Sequence, residues 1–146
     1  MEQIIFSETN FSKLKEFIKK NKNKDLVFTS GDDDLNRKVL EKLPIQTILI
    51  NLENRKDFQK QRNSGFNQVL AKIAKKNKIN IGINFDELIS SKYKEKIISR
   101  LIQNIKLCNK YKVQMKVISK DKKINKNNIK SLALVLGMPT WMIKNL

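Results

Sequence analysis

Residues 61–85 read QRNSGFNQVLAKIAKKNKINIGINF, and the change of pattern inside that run decides the fold. Phe66, Val69, Leu70 and Ile73 recur at i, i+3, i+4 and i+7, the spacing of a helix with one face in a core. Ser64-Gly65 predicts the start of that helix, because a serine at an N-cap accepts a backbone N–H that otherwise lacks a partner. At Ile79 the pattern changes to a β-prone strand run, Ile79–Phe85. Packing needs only the four apolar side chains. Arg62, Asn63, Asn67 and Gln68 crowd the first turn instead, where free N–H groups and the helix dipole already favour anions. That turn is the first candidate for holding a phosphate or a partner's backbone.

Outward from this unit, strands and helices alternate. Upstream the reading gives a strand at Glu2–Phe6 and an amphipathic helix at Phe11–Lys20, with Phe11, Leu14, Phe17 and Ile18 inward. A strand at Asp25–Thr29, a helix at Asp34–Leu43 ended by Pro44, and a buried strand at Thr47–Leu52 follow. Downstream, Ser90-Ser91 predicts the cap of the longest helix, running to about Tyr111 with Ile98, Leu101, Ile102, Ile105 and Cys108 inward. Val113–Ile118 is the next strand, and Ile129–Leu136 the last clear helix, closed by Gly137 and Pro139. Lys120–Asn128 (KDKKINKNN) reads as a polar, mobile loop. Strands separated by helical patterns predict βαβ units and a parallel sheet, an α/β fold. With 146 residues, no linker and no repeat, residues 1–146 are expected to form one domain.

Net charge is +17, with lysine supplying 27 of the 31 basic residues. Its distribution says more than its size. Residues 1–60 carry 12 basic and 10 acidic side chains, whereas residues 61–146 carry 19 and 4. A one-sided positive field attracts polyanions with strong salt dependence; a Lys-rich solvated surface is the plain alternative. No apolar run approaches a membrane span and the N-terminal MEQIIFSETNF is not a leader, which predicts a cytoplasmic protein without membrane contact. The single Cys108 lies in an apolar stripe and reads as a buried thiol rather than a nucleophile.

Catalytic constellations are sparse. The chain has no histidine, the usual general base and commonest metal ligand. Asp32, Asp33 and Asp34 read as helix-start acids complementing the dipole, and a loose Mg²⁺ site is the alternative. Asp86-Glu87 follows a strand, where barrel catalytic groups sit, but has no evident partner in the sequence. No glycine-rich phosphate loop or cysteine cluster is present. No metal or cofactor site is predicted on the protein.

The run from Arg62 through Ser64-Gly65 and Asn67-Gln68-Val69-Leu70 to Lys72, with its following strand, resembles a signature of ribonuclease P protein component 3, the thirty-kilodalton subunit family of archaea and eukaryotes. Asn54-Arg55-Lys56-Asp57 upstream fits the same family, and Gln103–Val113 and Ser131–Met138 are similar to its archaeal branch. The resemblance covers roughly residues 26–138, with the motifs in the family's order. It implies a (β/α) barrel, related to metal-dependent phosphoesterases, in which the protein does not perform the phosphodiester chemistry. This chain is short for that fold: about five strands are legible where a full barrel has eight. The family's opening strand–helix units and its final helix after Gly137-Met138 are not legible here. The resemblance therefore implies a shortened or incomplete barrel, either open as it stands or covered at its edges by another chain.

By the same resemblance the function is that of a ribonuclease P subunit, supporting a catalytic RNA that removes 5′ leaders from precursor tRNA. The implied partners are ribonuclease P RNA, precursor tRNA and a small subunit of α/β-sandwich type, with Mg²⁺ on the RNA. Arg55, Lys56, Arg62, Asn63, Ser64, Asn67 and Gln68 are expected to form a polar surface toward RNA or that partner, and Lys72, Lys75 and Lys76 to add positive field. Arg62 and Asn63 have an alternative role in locking the loop against the barrel rim; for Lys75 and Lys76 the alternative is a solvated face. After Val113–Ile118 the family commonly shows Ser-Ala and then an arginine. Here Ser119 is followed by Lys120-Asp121, leaving Lys122, Lys123, Lys126 and Lys130 as a diffuse replacement. Tyr93, Tyr111 and Trp141 are scattered, so base stacking is not expected as the main binding mode. Two rival readings stand beside this one. The first is a protein–protein assembly scaffold; the second is a degenerate barrel enzyme for a small phosphorylated metabolite, with a pocket lined by Asn84 and Asp86.

Overall fold

The computed structural model describes residues 2–121 and 124–146. In chain order the elements are β1 (Gln3–Phe6), α1 (Phe11–Lys20), β2 (Asp25–Thr29), α2 (Asp33–Lys42), β3 (Thr47–Leu49), α3 (Gln68–Asn77), β4 (Asn80–Asn84), α4 (Phe85–Ser90), α5 (Lys94–Tyr111), β5 (Met115–Ile118), α6 (Lys126–Val135) and α7 (Thr140–Ile143). The five strands form one parallel sheet in the order β1-β2-β3-β4-β5. A doubly wound sheet reverses its strand order, whereas sequential order with right-handed crossovers keeps the helices on one face, as in a (β/α) barrel. Here the sheet stays open, with β1 and β5 at its edges.

Alternation along the strands builds two layers of unequal size. Leu26, Phe28, Ile48, Ile81, Ile83 and Met115 face the helices and join Leu14, Ile18, Val39, Leu40 and Ile105 in one large core. The opposite parity (Ile5, Val27, Leu49 and Ile118) makes a small second cluster on the other face. A Cβ on Gly82 would lie 3.0–3.3 Å from Leu49, Thr47 and Ile118, so that face is tightly packed. At the β5 edge, Gln114 donates to Met142 O at 2.9 Å and Lys116 to Asn145 O, fastening the C-terminal segment there. No helix among the described residues is long and apolar enough to cross a membrane.

Several expectations are corrected at element ends. The helix predicted to open at Ser64 is α3, and Asn67 caps it by accepting the Leu70 N–H at 3.0 Å; Gly65, at φ +69°, keeps the preceding backbone out of the helix. Within α3 the buried residues are Leu70, Ala71 and Ala74, Ile73 packs partly buried on the core, Phe66 is buried ahead of the helix, and Val69 is exposed. The Thr47 strand ends at Leu49, although Ile50 and Leu52 remain buried. Ser91 does not cap α5; it closes the short α4, and its hydroxyl accepts the Tyr93 N–H at 3.0 Å. Lys126–Asn128 belong to α6 rather than to the polar loop. After Gly137 the chain forms the short α7, which buries Met142.

Candidate nucleic-acid interface

Residues 50–67 join β3 to α3 at the C-terminal end of the sheet, and two arginines hold them. Arg100, on α5, is 2% exposed and donates to Leu52 O and Arg55 O, both at 2.7 Å, and to the Asp57 carboxylate at 3.0 Å. Asp57 also accepts the Asn63 N–H at 2.9 Å, and Arg62 lies 3.8 Å from its second oxygen. The Asn63 amide and the Arg100 guanidinium together hold the Asp57 carboxyl below the usual range. Arg55 donates through Nε to Asn51 O at 2.6 Å and forks onto Asp33 at 3.0 and 3.1 Å. Its guanidinium lies over Gly65, where a Cβ would come within 2.4–2.7 Å of it. Asp32 caps α2 by accepting the Asp34 and Leu35 N–H groups, which sets Asp33 in the first turn facing Arg55.

This geometry corrects two expectations. Arg55 and Ser64 are not surface donors. The Arg55 fork is spent on Asp33, and Ser64 is buried, donating to Phe66 O at 3.2 Å and accepting from Gln103 at 3.3 Å. Asn63 accepts the Gly65 N–H at 3.1 Å and so has the loop-locking role. Asn67 is a helix cap, and Gln68 accepts from the Tyr111 hydroxyl at 3.3 Å. Arg62 and Lys56 are exposed, as are Lys72, Lys75 and Lys76 on α3. Lys72 sits 5.8 Å from the Tyr111 ring centroid, and Lys75 donates to Lys112 O at 3.0 Å. Ser119 is half-buried and donates to Asp86, while Lys122 and Lys123 lie outside the described residues.

Between this loop, the start of α2 and the outer face of α5 runs an open groove of about 920 Å³. Arg37, Arg62, Lys106 and Lys110 line it, with Asp33 and Asp34 at the α2 side and Phe58 on the loop. Of the two acids, Asp33 is already paired with Arg55. The groove offers cations at several points along an open channel, the arrangement that suits a phosphodiester backbone better than a compact small molecule.

A second hollow of about 580 Å³ lies at the strand ends, lined by Asn51, Glu53, Asn54, Lys56, Asn84 and Glu87 among others. Its polar groups are largely committed to one another. Asn84 donates to Asn51 at 3.0 Å, and Glu87 accepts the backbone N–H groups of Leu52 and Glu53. Burial raises the Glu87 carboxyl above its ordinary value. Asp86 does not line this hollow and is not unpartnered: the Lys120 N–H and then the Ser119 hydroxyl hold its carboxylate and keep its pKa low. Among the described residues no three His, Cys, Asp or Glu side chains converge as metal ligands. Cys108 is buried and its thiol is pushed up to about 12, so it stays protonated.

Arg100, Gln103, Lys106, Lys110 and Phe58 are the site residues that sequence reading missed. Arg100 carried a signal: it lies on the same helical stripe as Ile97, Leu101, Asn104 and Cys108, and a charged residue there must find buried acceptors.

Comparison with known proteins bears on the family and the fold. The chain is 30% identical over 109 residues to ribonuclease P protein component 3 of Methanococcus maripaludis strain C7, covering 72% of this chain and 44% of the relative. It is 35% identical over 116 residues to ribonuclease P protein component 3 of Methanosarcina acetivorans, covering 77% and 46%. It thus spans a little under half the length of these curated relatives. No protein-family model matches. Its fold is that of a chain in the cryo-EM structure of archaeal ribonuclease P with mature tRNA, with a TM-score of 0.80 at 20% identity, covering 96% of this chain and 62% of that one.

Proposed function

Because this chain is, over about three quarters of its length, a homologue of the ribonuclease P protein component 3 family, we propose that it acts as a protein subunit of ribonuclease P. In this reading it binds the ribonuclease P RNA and helps present precursor tRNA for removal of the 5′ leader. The RNA and its Mg²⁺ perform the cleavage; the protein screens backbone charge and fixes RNA geometry. A small α/β-sandwich subunit is the protein partner, and the complex works in the cytoplasm.

The similarity carries the reading, and the groove supplies a physical means. Arg62, Lys106 and Lys110 line the groove beside a loop that Arg55 and Arg100 fasten by several hydrogen bonds. Cations on a preformed surface neutralise phosphates without the cost of ordering a loop on binding. The polar hollow at the strand ends does not support a metabolite enzyme comparably, since its Glu87 is occupied by backbone N–H groups.

The test is 5′ cleavage of precursor tRNA by the organism's own ribonuclease P RNA, alone and with the small subunit, with and without this chain, across Mg²⁺ concentrations. Stimulation that requires the RNA and lowers the Mg²⁺ needed is expected. No stimulation with an active partner present would refute the assignment.

A further inference from the structure

Among the apolar residues that line the groove, Phe58 is the one large side chain that is mostly exposed. Phe58 is 58% exposed, on a polar loop, and shares the groove with Arg37, Arg62, Lys106 and Lys110. The loop does not leave it free to wander. Its N–H donates to Gln61 O at 2.9 Å, closing a tight turn, and the preceding residue is Asp57, anchored on Arg100. A lone exposed ring is ordinary on a protein surface, but this one is held on an anchored turn in a groove lined by four cations, which gives that groove a face on which a flat apolar group can stack.

The groove supplies the complementary half of such a ligand's chemistry. Arg62 and Lys106 provide positive charge, and Gln61 and Ser99 add neutral polar groups on the same lining. Flat apolar faces joined by regularly spaced anionic links, with polar edges between, describe an unpaired polynucleotide. In a duplex the base faces are stacked on one another and closed to a protein ring, and an acidic peptide presents charge without a stacking face.

We infer that the groove takes an unpaired nucleotide segment, one base stacking on Phe58 while the flanking phosphates lie against Arg62, Lys106 and Lys110. This deepens the ribonuclease P reading and rests on it for the identity of the RNA, but it makes a claim of its own: the recognised element is single-stranded.

The test is a titration of the chain with three fluorescent probes of matched charge: a 12-nucleotide unstructured RNA, an RNA duplex and a glutamate-rich peptide. Tightest binding to the single strand is expected. Phe58→Ala is expected to weaken that binding about 5- to 100-fold without changing its salt dependence, and Phe58→Tyr to retain it. Lys106→Ala with Lys110→Ala is expected to lower the slope of log affinity against log salt by about 1.4. Equal or tighter binding of duplex or peptide, or a Phe58→Ala variant that binds the single strand normally, overturns the inference. Failure here with cleavage stimulation intact removes only the groove assignment. Success here without stimulation leaves a single-strand site and removes the ribonuclease P reading.

Discussion

The β3–α3 loop and the β5–α6 connection leave the same end of one sheet, and both are polar and basic, yet they are held differently. In the first, Arg55 and Arg100 each satisfy several acceptors, binding three backbone carbonyls and two carboxylates between them. In the second, the fastenings among the described residues include Ser119 and the Lys120 N–H on Asp86, the Asp121 N–H on Ser119, and the Asn125 cap of α6. The difference is one of side-chain chemistry. A planar guanidinium has five donors in a fixed fork and joins segments of backbone; an ammonium is a hydrated point charge that stays at the surface. In a chain with 27 lysines and four arginines, one arginine is buried and a second is nearly so, and no described lysine is buried. Charge total thus describes the surface, and the rare arginines mark the architecture of the site.

The strongest way to break this contrast is Arg100→Met. It strands the Leu52 and Arg55 carbonyls and takes from Asp57 its guanidinium partner on α5, and is expected to cost about 3 kcal/mol in urea unfolding, with Arg100→Lys recovering only part. Gly65→Ala comes next. It imposes a side chain at φ +69° and pushes against the Arg55 guanidinium, for an expected loss of about 2–3 kcal/mol in thermal melts. Gly31→Ala, with open space around it, is expected to stay within about 0.5 kcal/mol and serves as the control.

On the other side of the comparison, Asp86→Asn is expected to cost about 1 kcal/mol and to speed hydrogen exchange at the Lys120 amide, leaving the β3–α3 loop protected. The smallest effect is one of pH. Asp57 has a lowered pKa in the fold, so its contribution is present above the ordinary aspartate range and is lost as pH falls through the lowered value. The stability gap between the native chain and Asp57→Asn, followed by denaturant melts, is therefore expected to close in acid and stay constant near neutrality.

The sheet was legible because strands buried on both faces leave apolar runs that survive any surface composition, as Asp25–Thr29 and Ile79–Phe85 show. Helix starts were less so. Ser64 and Asn67 both have capping side chains, and only Gly65's left-handed backbone decides between them. In the site, exposed Arg62 was readable from its crowded neighbourhood. Arg55 was read as exposed because nothing local reveals Asp33, 22 residues away, as its partner. Phe58 escaped notice since a lone aromatic in a polar loop has meaning only once Lys106 and Lys110, about 50 residues away, line the same groove.

The most direct test of the account is a photocrosslink from a benzophenone amino acid placed at Phe58, compared with one at exposed Lys20 at the end of α1, in the complex with ribonuclease P RNA. Crosslinks to RNA from position 58, confined to unpaired nucleotides and absent from position 20, are the predicted result. Equal crosslinking from both positions, or RNA contact from position 20 alone, would contradict the claim that the arginine-held loop and its groove face the RNA.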